Sequence, residues 1–206
     1  ASIASQEQLG TLTHLNNVFA QRVLKERDEN GIRILERFNA HQATVWGMNA
    51  EGKAVFSKWF SLQSGLTVQR SEYKDAVEWD EDAPAEKKFL RTPNVYGYFT
   101  MQSSPIKRLS IALSGNYNGR MLVGHAAGSG VEKPVAVRTP SFFTLSLKAS
   151  YDFDIYKQVK VQFNAGIQNI GNVYQRDLDK GWNRDASYIY GPSLPRCFYV
   201  GLKLMY

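Results

Sequence analysis

The stretch Asp177–Tyr190 carries Asp177, Asp179, Lys180, Trp182, Arg184, Asp185, Tyr188 and Tyr190, with Arg176 immediately before it. Charges set beside aromatic faces can hold a polar ligand, because rings supply contact area at low entropy cost and charged groups fix orientation. Trp182, Arg184, Asp185, Tyr188, Tyr190 and Arg176 are therefore candidate ligand contacts. The same residues also describe a loop held by its own ion pairs and ring stacking, and both readings stay open on sequence. Asp177, Asp179 and Asp185 with Asn183 resemble a calcium loop in composition, but the turn glycine that an EF-hand needs at its sixth position is displaced. No metal site is assigned.

Other chemistry-bearing residues lack a pattern. Gly124–Gly130 (GHAAGSG) looks like a phosphate cradle, yet no Gly-Lys-Ser/Thr follows and no strand-to-helix transition is expected, so it reads as a flexible outer loop. His14, His41 and His125 are too dispersed for metal-ligand spacing, and no Ser or Cys stands in a nucleophile motif beside them. No catalytic residue and no cofactor is assigned. Cys197 reads as a small residue near a rim, with a reactive thiol left open. Lys and Arg form no stripe interleaved with aromatics, so nucleic acid is not expected as a partner.

The elements that must position these residues alternate with period two, the signature of strands with two unlike faces. Phe198, Val200, Leu202, Leu204 and Tyr206 share one face of a terminal strand. Val159–Gln168, Phe143–Asp154, Leu109–Asn118 and Phe60–Gln69 alternate in the same way. Weaker strands lie at Val45–Phe56 and Thr92–Gln102, with ambiguous faces. Leu15–Leu24 and Ile32–Phe38 flank Asp28-Glu29-Asn30-Gly31, a hairpin signal because Asn and Gly tolerate positive φ. About eight antiparallel strands are expected, an all-β chain.

The connections alternate in length. Ser57–Trp59, Ser103–Lys107 and Asp154–Gln158 are short, whereas Glu72–Arg91, Arg120–Arg138 and Gly171–Arg196 are long. Long links on every second connection emerge from one end of the sheet, the layout of an outer-membrane barrel. Trp59, Phe60, Tyr151, Phe153, Tyr156 and Tyr206 then fall near the short-turn end, where interfacial aromatics belong. A soluble sandwich gives the same alternation. The second face here is mostly Gln, Asn, Ser, Thr and Gly instead of Lys and Glu, which suits a wet lumen. Lys148, Lys160 and Lys203 share that face and are expected to line the lumen or to meet carboxylates of a plug.

Composition agrees with a packed chain. Its 206 residues are 43 % hydrophobic and 13 % aromatic, with a net charge of +6, which excludes disorder. One cysteine excludes an intrachain disulfide. Ala1–Gln6 shows no initiator Met and no signal peptide, so the chain is expected to be mature, processed or excised.

Three stretches resemble the last strands of TonB-dependent outer-membrane receptors of the Bacteroides type: Phe89–Thr100 (FLRTPNVYGYFT), Asn164–Asn172 (NAGIQNIGN) and Asp177–Gly201, within which Gly191–Arg196 (GPSLPR) is the most specific. The strand ending with Gly201, Leu204 and Tyr206 resembles the terminal signal by which such barrels are recognised for assembly. The resemblance implies that residues 1–206 form the C-terminal portion of a plugged barrel of about 22 strands. It also implies a Gram-negative outer-membrane location and uptake of a scarce small ligand such as an iron-siderophore, haem or cobalamin. The partners implied are that ligand, the plug domain and remaining strands, the TonB complex acting through the plug, and outer-membrane lipids. The alternative is a complete small eight-stranded barrel with a structural or adhesive role.

Overall fold

A computed structural model describes residues 2–128, 130–156 and 159–205. The first strands are β1 (Ser2–Asn16), β2 (Phe19–Arg27), β3 (Arg33–Asn39), β4 (Gln42–Ser57), β5 (Phe60–Val77) and β6 (Glu86–Lys88). There follow β7 (Val95–Ser103), β8 (Leu109–Asn118), β9 (Leu122–His125), β10 (Val135–Arg138), β11 (Phe142–Tyr156), β12 (Val159–Gln168) and β13 (Cys197–Met205). No helix occurs among the described residues.

Eight long strands form one antiparallel sheet in the order β1-β4-β5-β7-β8-β11-β12-β13, with β6 added beside β5. Each strand pairs with the next long strand in the chain, as in a meander. Among the described residues β1 pairs only with β4 and β13 only with β12, so the sheet is open. A complete eight-stranded barrel would need β1 to pair with β13, and it does not. An open edge leaves a row of unpaired N–H and C=O groups that seek another strand.

The register carries each apolar parity into its neighbour. Phe153 stands opposite Val161 and Val161 opposite Leu204; Phe163 faces Tyr151 on one side and Leu202 on the other. Leu147, Leu113, Met101, Leu62 and Ala54 make one such row, and Phe143, Tyr117, Gly97, Leu66 and Ala50 another. This face has no protein cover: Phe198, Val200, Leu202 and Leu204 are 70–75 % exposed. The opposite face carries Ser150, Asn164, Gln162, Asp152, Thr67 and Asn49. Ser150 Oγ donates to Asn164 Oδ1 at 2.7 Å, and Thr67 Oγ1 to Asn49 Oδ1 at 2.9 Å. An inverted sheet, with its polar groups bonded within and its apolar side chains outward, is the arrangement that hydrocarbon surroundings stabilise.

The short links are Lys58–Trp59 and Ser104–Arg108, and a third joins β11 to β12. At that end Trp59, Phe56, Phe153 and Ile155 are exposed, with Phe56 and Phe60 centroids 5.4 Å apart. The Tyr156 side chain and Tyr206 lie outside the described residues.

The opposite end has four long links, one more than the sequence reading. Residues 17–41, between β1 and β4, hold the β2-β3 hairpin, which forms its own two-stranded sheet. The expected strand Leu15–Leu24 is thus divided at Asn17, whose φ is 57°. The hairpin turn is also broader than a two-residue Asn-Gly turn. Gly31 alone has positive φ there (75°), while Asp28 Oδ1 accepts the N–H groups of Asn30 and Ile32. The hairpin packs Ala20, Ala40 and Phe38 against Val77 and Tyr73 of β5, which runs on into the expected link at Glu72. Arg22 joins the two parts, bonding Glu36 of β3 at 2.6 Å and Glu78 beyond β5 at 2.9 Å. Residues 119–141 contain the β9-β10 hairpin, again where a loop was expected.

Candidate functional site

The loop between β12 and β13 contains no regular element, so side chains must satisfy its backbone. Asn169, itself buried, ties its two ends: Nδ2 donates to the carbonyls of Val173 at 2.8 Å and Leu194 at 2.9 Å, while Oδ1 accepts the Val173 N–H at 2.9 Å. Asn172 Oδ1 accepts the Arg196 N–H at 2.9 Å, and Arg196 Nε donates to the Ile170 carbonyl at 2.8 Å. Asn169 and Asn172 both have φ near 50°, a region that Asn tolerates better than most residues. The motifs NAGIQNIGN and GPSLPR are therefore the two halves of one clasp.

Above the clasp stands a second layer centred on Tyr188, which is 2 % exposed. Its ring stacks on His125 of β9 with centroids 3.7 Å apart and planes within 7°, and meets Tyr190 edge-on at 5.3 Å. Asp177 accepts both phenol hydroxyls, Tyr188 at 3.0 Å and Tyr190 at 2.6 Å. Gln175, 4 % exposed, donates through Nε2 to the Tyr188 carbonyl and accepts the Tyr190 N–H at 2.9 Å. Arg91, from the link after β6, donates to the carbonyls of Ser187 and Ile189.

The acids do not converge. His125 Nε2 and Asp179 Oδ2 are 2.9 Å apart with both side chains buried, and Asp179 also accepts the Asp185 N–H. Asp185 accepts the N–H groups of Ala126 and Ser187. Among the described residues no three His, Cys, Asp or Glu side chains form a metal-binding group. The electrostatics follow from these bonds. Burial opposes ionisation of Asp177, but the two tyrosine hydroxyls outweigh it and hold its pKa below the ordinary carboxylate value. His125 lowers that of Asp179, and the Ser187 and Ala126 donors overcome burial to lower that of Asp185. Burial, reinforced by Asp177, pushes Tyr188 up to about 12 and raises Tyr190 as well.

Gly124–Gly130 is docked onto this layer, where sequence reading expected a flexible loop. A Cβ at Gly128 would collide with the Asn183 carbonyl, and one at Gly130 with the Asp179 carboxylate. The glycines allow two loops to touch, a role that spacing within one loop does not reveal.

Of the six ligand-contact residues, the fold thus places Tyr188, Tyr190 and Asp185 inside the loop's own framework. Trp182 and Arg176 are exposed; Arg184 is exposed too, its Nη1 donating to the Gly181 carbonyl at 3.3 Å. Gly201 lies opposite Asn164, and Leu204 opposite Val161 on the apolar face. Gln175, His125 of GHAAGSG and Arg91 of FLRTPNVYGYFT, none of them read as a site residue from sequence, complete the arrangement.

Beneath the clasp, the polar face of the sheet forms a cavity of about 570 Å³. Thr100, Ser114, Ser146, Lys148 and Tyr199 form its floor and wall, and Pro192–Leu194 its roof. Cys197 is exposed at the start of β13, opposite Gln168 on that face.

No family model matches the sequence. No curated protein matches it either. Solved structures do. The ferric-catecholate import receptor Fiu from E. coli is similar over 97 % of this chain and 25 % of its own, with a TM-score of 0.63 at 16 % identity. A mutant of the ferric enterobactin receptor PfeA from Pseudomonas aeruginosa gives 0.61 at 14 %, over 97 % of this chain and 28 % of that one. The copper transporter OprC gives 0.66 at 13 %, over 96 % and 28 %. The chain spans about a quarter of the length of these proteins. Identities this low speak to fold alone: the chain shares the antiparallel all-β fold of part of these proteins' β-barrels.

Proposed function

We propose that the chain is the C-terminal portion of the barrel of a TonB-dependent outer-membrane receptor that takes up a scarce small ligand in a Gram-negative cell. The observation that carries this reading is the open sheet of eight long strands, apolar outward and polar inward, which overlays a quarter of receptors for ferric siderophores and of a copper transporter. Both free edges call for further strands, and a barrel of about 22 would supply them. The polar face lines the lumen, with Lys148, Lys160 and Lys203 facing the plug, and the apolar face meets lipid. Energy enters through the TonB complex acting on the plug. This chain does no covalent chemistry; Gly201, Leu204 and Tyr206 serve barrel assembly. The Bacteroides-type assignment rests on the three sequence motifs.

The ligand is a compact, anionic metal complex of the siderophore kind. The bonded His125-Tyr188-Tyr190-Asp177 layer, buried at His125 and Tyr188, is the rigid frame, and it presents Trp182, Arg184 and Arg176 outward as ring and cation. Fixing an exposed lip on a bonded scaffold reduces the entropy lost on capture. The test is uptake of radiolabelled ferric catecholate by cells carrying the full-length receptor, with and without a proton uncoupler. Uptake that the uncoupler abolishes, and that Trp182→Ala with Arg184→Ala weakens about tenfold, supports the reading. Uptake indifferent to both overturns it.

A further inference from the structure

β6 folds back on β5 out of step. Glu72 stands opposite Lys88 and Val77 opposite Glu86, so five residues of β5 are spent against two of β6. The excess bows away from the ladder, and side chains gather in the space it leaves. There Tyr73 of β5 meets Phe89, just after β6, with ring centroids 4.4 Å apart. Trp79, from the link between β5 and β6, is anchored on two sides. Its carbonyl accepts the Val23 N–H at 3.0 Å, and its ring lies against Gly124 of β9, where a Cβ would strike it.

Tyr73, Trp79 and Phe89 line a cavity of about 180 Å³ together with Glu86 and Lys88. Ala20 and Val77, both buried, also line it. The ladder between β4 and β5 is unbroken from Ala54 and Leu62 to Ala43 and Tyr73, so Tyr73 keeps the parity of Thr67. The cavity therefore belongs to the polar side of the sheet, at the level of the long links.

Its lining defines the ligand. Aromatic faces carry partial negative charge and attract a cation, a methylated ammonium above all because water holds it weakly. Glu86 adds a full negative charge, and Lys88 brings a positive one to the same cavity. Among the described residues neither side chain makes an ion pair or a hydrogen bond, so both charges are left for a ligand. That ligand must carry both signs. The volume lies below the roughly 300–1,000 Å³ of sites for drug-sized molecules, which admits one small molecule and excludes a siderophore complex.

We propose that this cavity binds a small zwitterion, a methylated ammonium joined to a carboxylate, with the ammonium on the rings and Glu86 and the carboxylate on Lys88. The site is separate from the exposed lip around Trp182. Lined by residues 20–90 alone, it stands independently of the outer-membrane reading.

The test titrates the complete polypeptide that carries this chain, in detergent micelles, with glycine betaine, whose N-methyl protons are followed by saturation-transfer NMR. Two other probes divide its chemistry. The tert-butylacetate anion has the shape and the carboxylate without the positive charge; choline has the ammonium without the carboxylate. Saturable binding of betaine is expected, with tert-butylacetate about 100-fold weaker. Glu86→Gln should weaken betaine and choline about tenfold each, whereas Lys88→Gln should weaken betaine about tenfold and leave choline no weaker. Trp79→Phe keeps an aromatic face and should retain most of the affinity that Trp79→Leu loses. Circular dichroism, the same in all variants, shows that the sheet is intact. If Trp79→Leu fails that check, the comparison of betaine with tert-butylacetate on the wild type still decides. Equal binding of those two overturns the proposal, and so does a folded protein that shows no saturable binding of betaine. Betaine affinity unmoved by Glu86→Gln and Lys88→Gln overturns it as well.

Discussion

Replacing Tyr188 by Ala should uncouple the loop layer from the barrel beneath it. Tyr188 is 2 % exposed, stacks on His125 at 3.7 Å, meets Tyr190 at 5.3 Å and donates to Asp177 at 3.0 Å, so the substitution removes ring packing and one hydrogen bond together. Truncating a buried aromatic costs about 3–5 kcal/mol, and a loop able to collapse falls near the lower figure. Tyr188→Phe keeps the ring and loses only a bond to a largely solvated carboxylate, about 1 kcal/mol. In local opening these figures are about 100-fold and about 5-fold. Hydrogen exchange of the complete polypeptide that carries this chain, in lipid nanodiscs, reads both. Amides of 123–126 and 175–191 should exchange faster by those factors, while those of β11 and β12 stay unchanged. If Tyr188→Phe is as damaging as Tyr188→Ala, the energy lies in the hydroxyl and the packing argument fails. If neither changes exchange, the layer is not cooperative.

Three further outcomes follow from the same geometry. Asp177, Asp179 and Asp185 have folded pKa values below their unfolded ones, so the stability they contribute is present above about pH 4 and is lost as pH falls through the folded values. Tyr188 runs oppositely: its contribution is full below about pH 10 and is lost as pH rises toward about 12. Loop exchange, corrected for intrinsic rates, should accordingly rise as pH falls below about 4 and again as it climbs beyond about 10; exchange unchanged at both extremes would contradict this. Gly130→Val places a branched side chain against Asp179 and His125, and should raise protease cleavage within 126–134 without altering barrel formation. Leu202→Arg puts a cation on the exposed apolar face of β13 and, if that face meets lipid as proposed, costs about 2–4 kcal/mol of folding into lipid vesicles, whereas Lys203→Gln on the opposite face should cost little.

β5, β8, β11, β12 and β13 were legible because one face must be apolar and the other polar, which leaves an alternation that needs no partner to be seen. β1 was not: its apolar residues Leu9, Leu12 and Leu15 are three apart, and its ladder shifts between Ile3 and Ser5, so no face can be drawn from the chain alone. The parity of β4 became definite only through its register with β5. Long links were recognised by length and composition, and the β2-β3 hairpin by its Asp28–Gly31 turn signal, but β9 and β10, four residues each, are too short to show an alternation. The site meets a different limit. Asp177, Tyr188 and Tyr190 stood out by type, whereas His125 gained its meaning from a residue 54 positions away, Asp179.

Structure determination of the complete polypeptide that carries this chain, in lipid nanodiscs, tests the central claim most directly. The account predicts that β1 and β13 are each hydrogen-bonded to strands outside residues 1–206, within one larger barrel whose outer face carries Leu202 and Leu204. β1 paired with β13, closing an eight-stranded barrel, would contradict it.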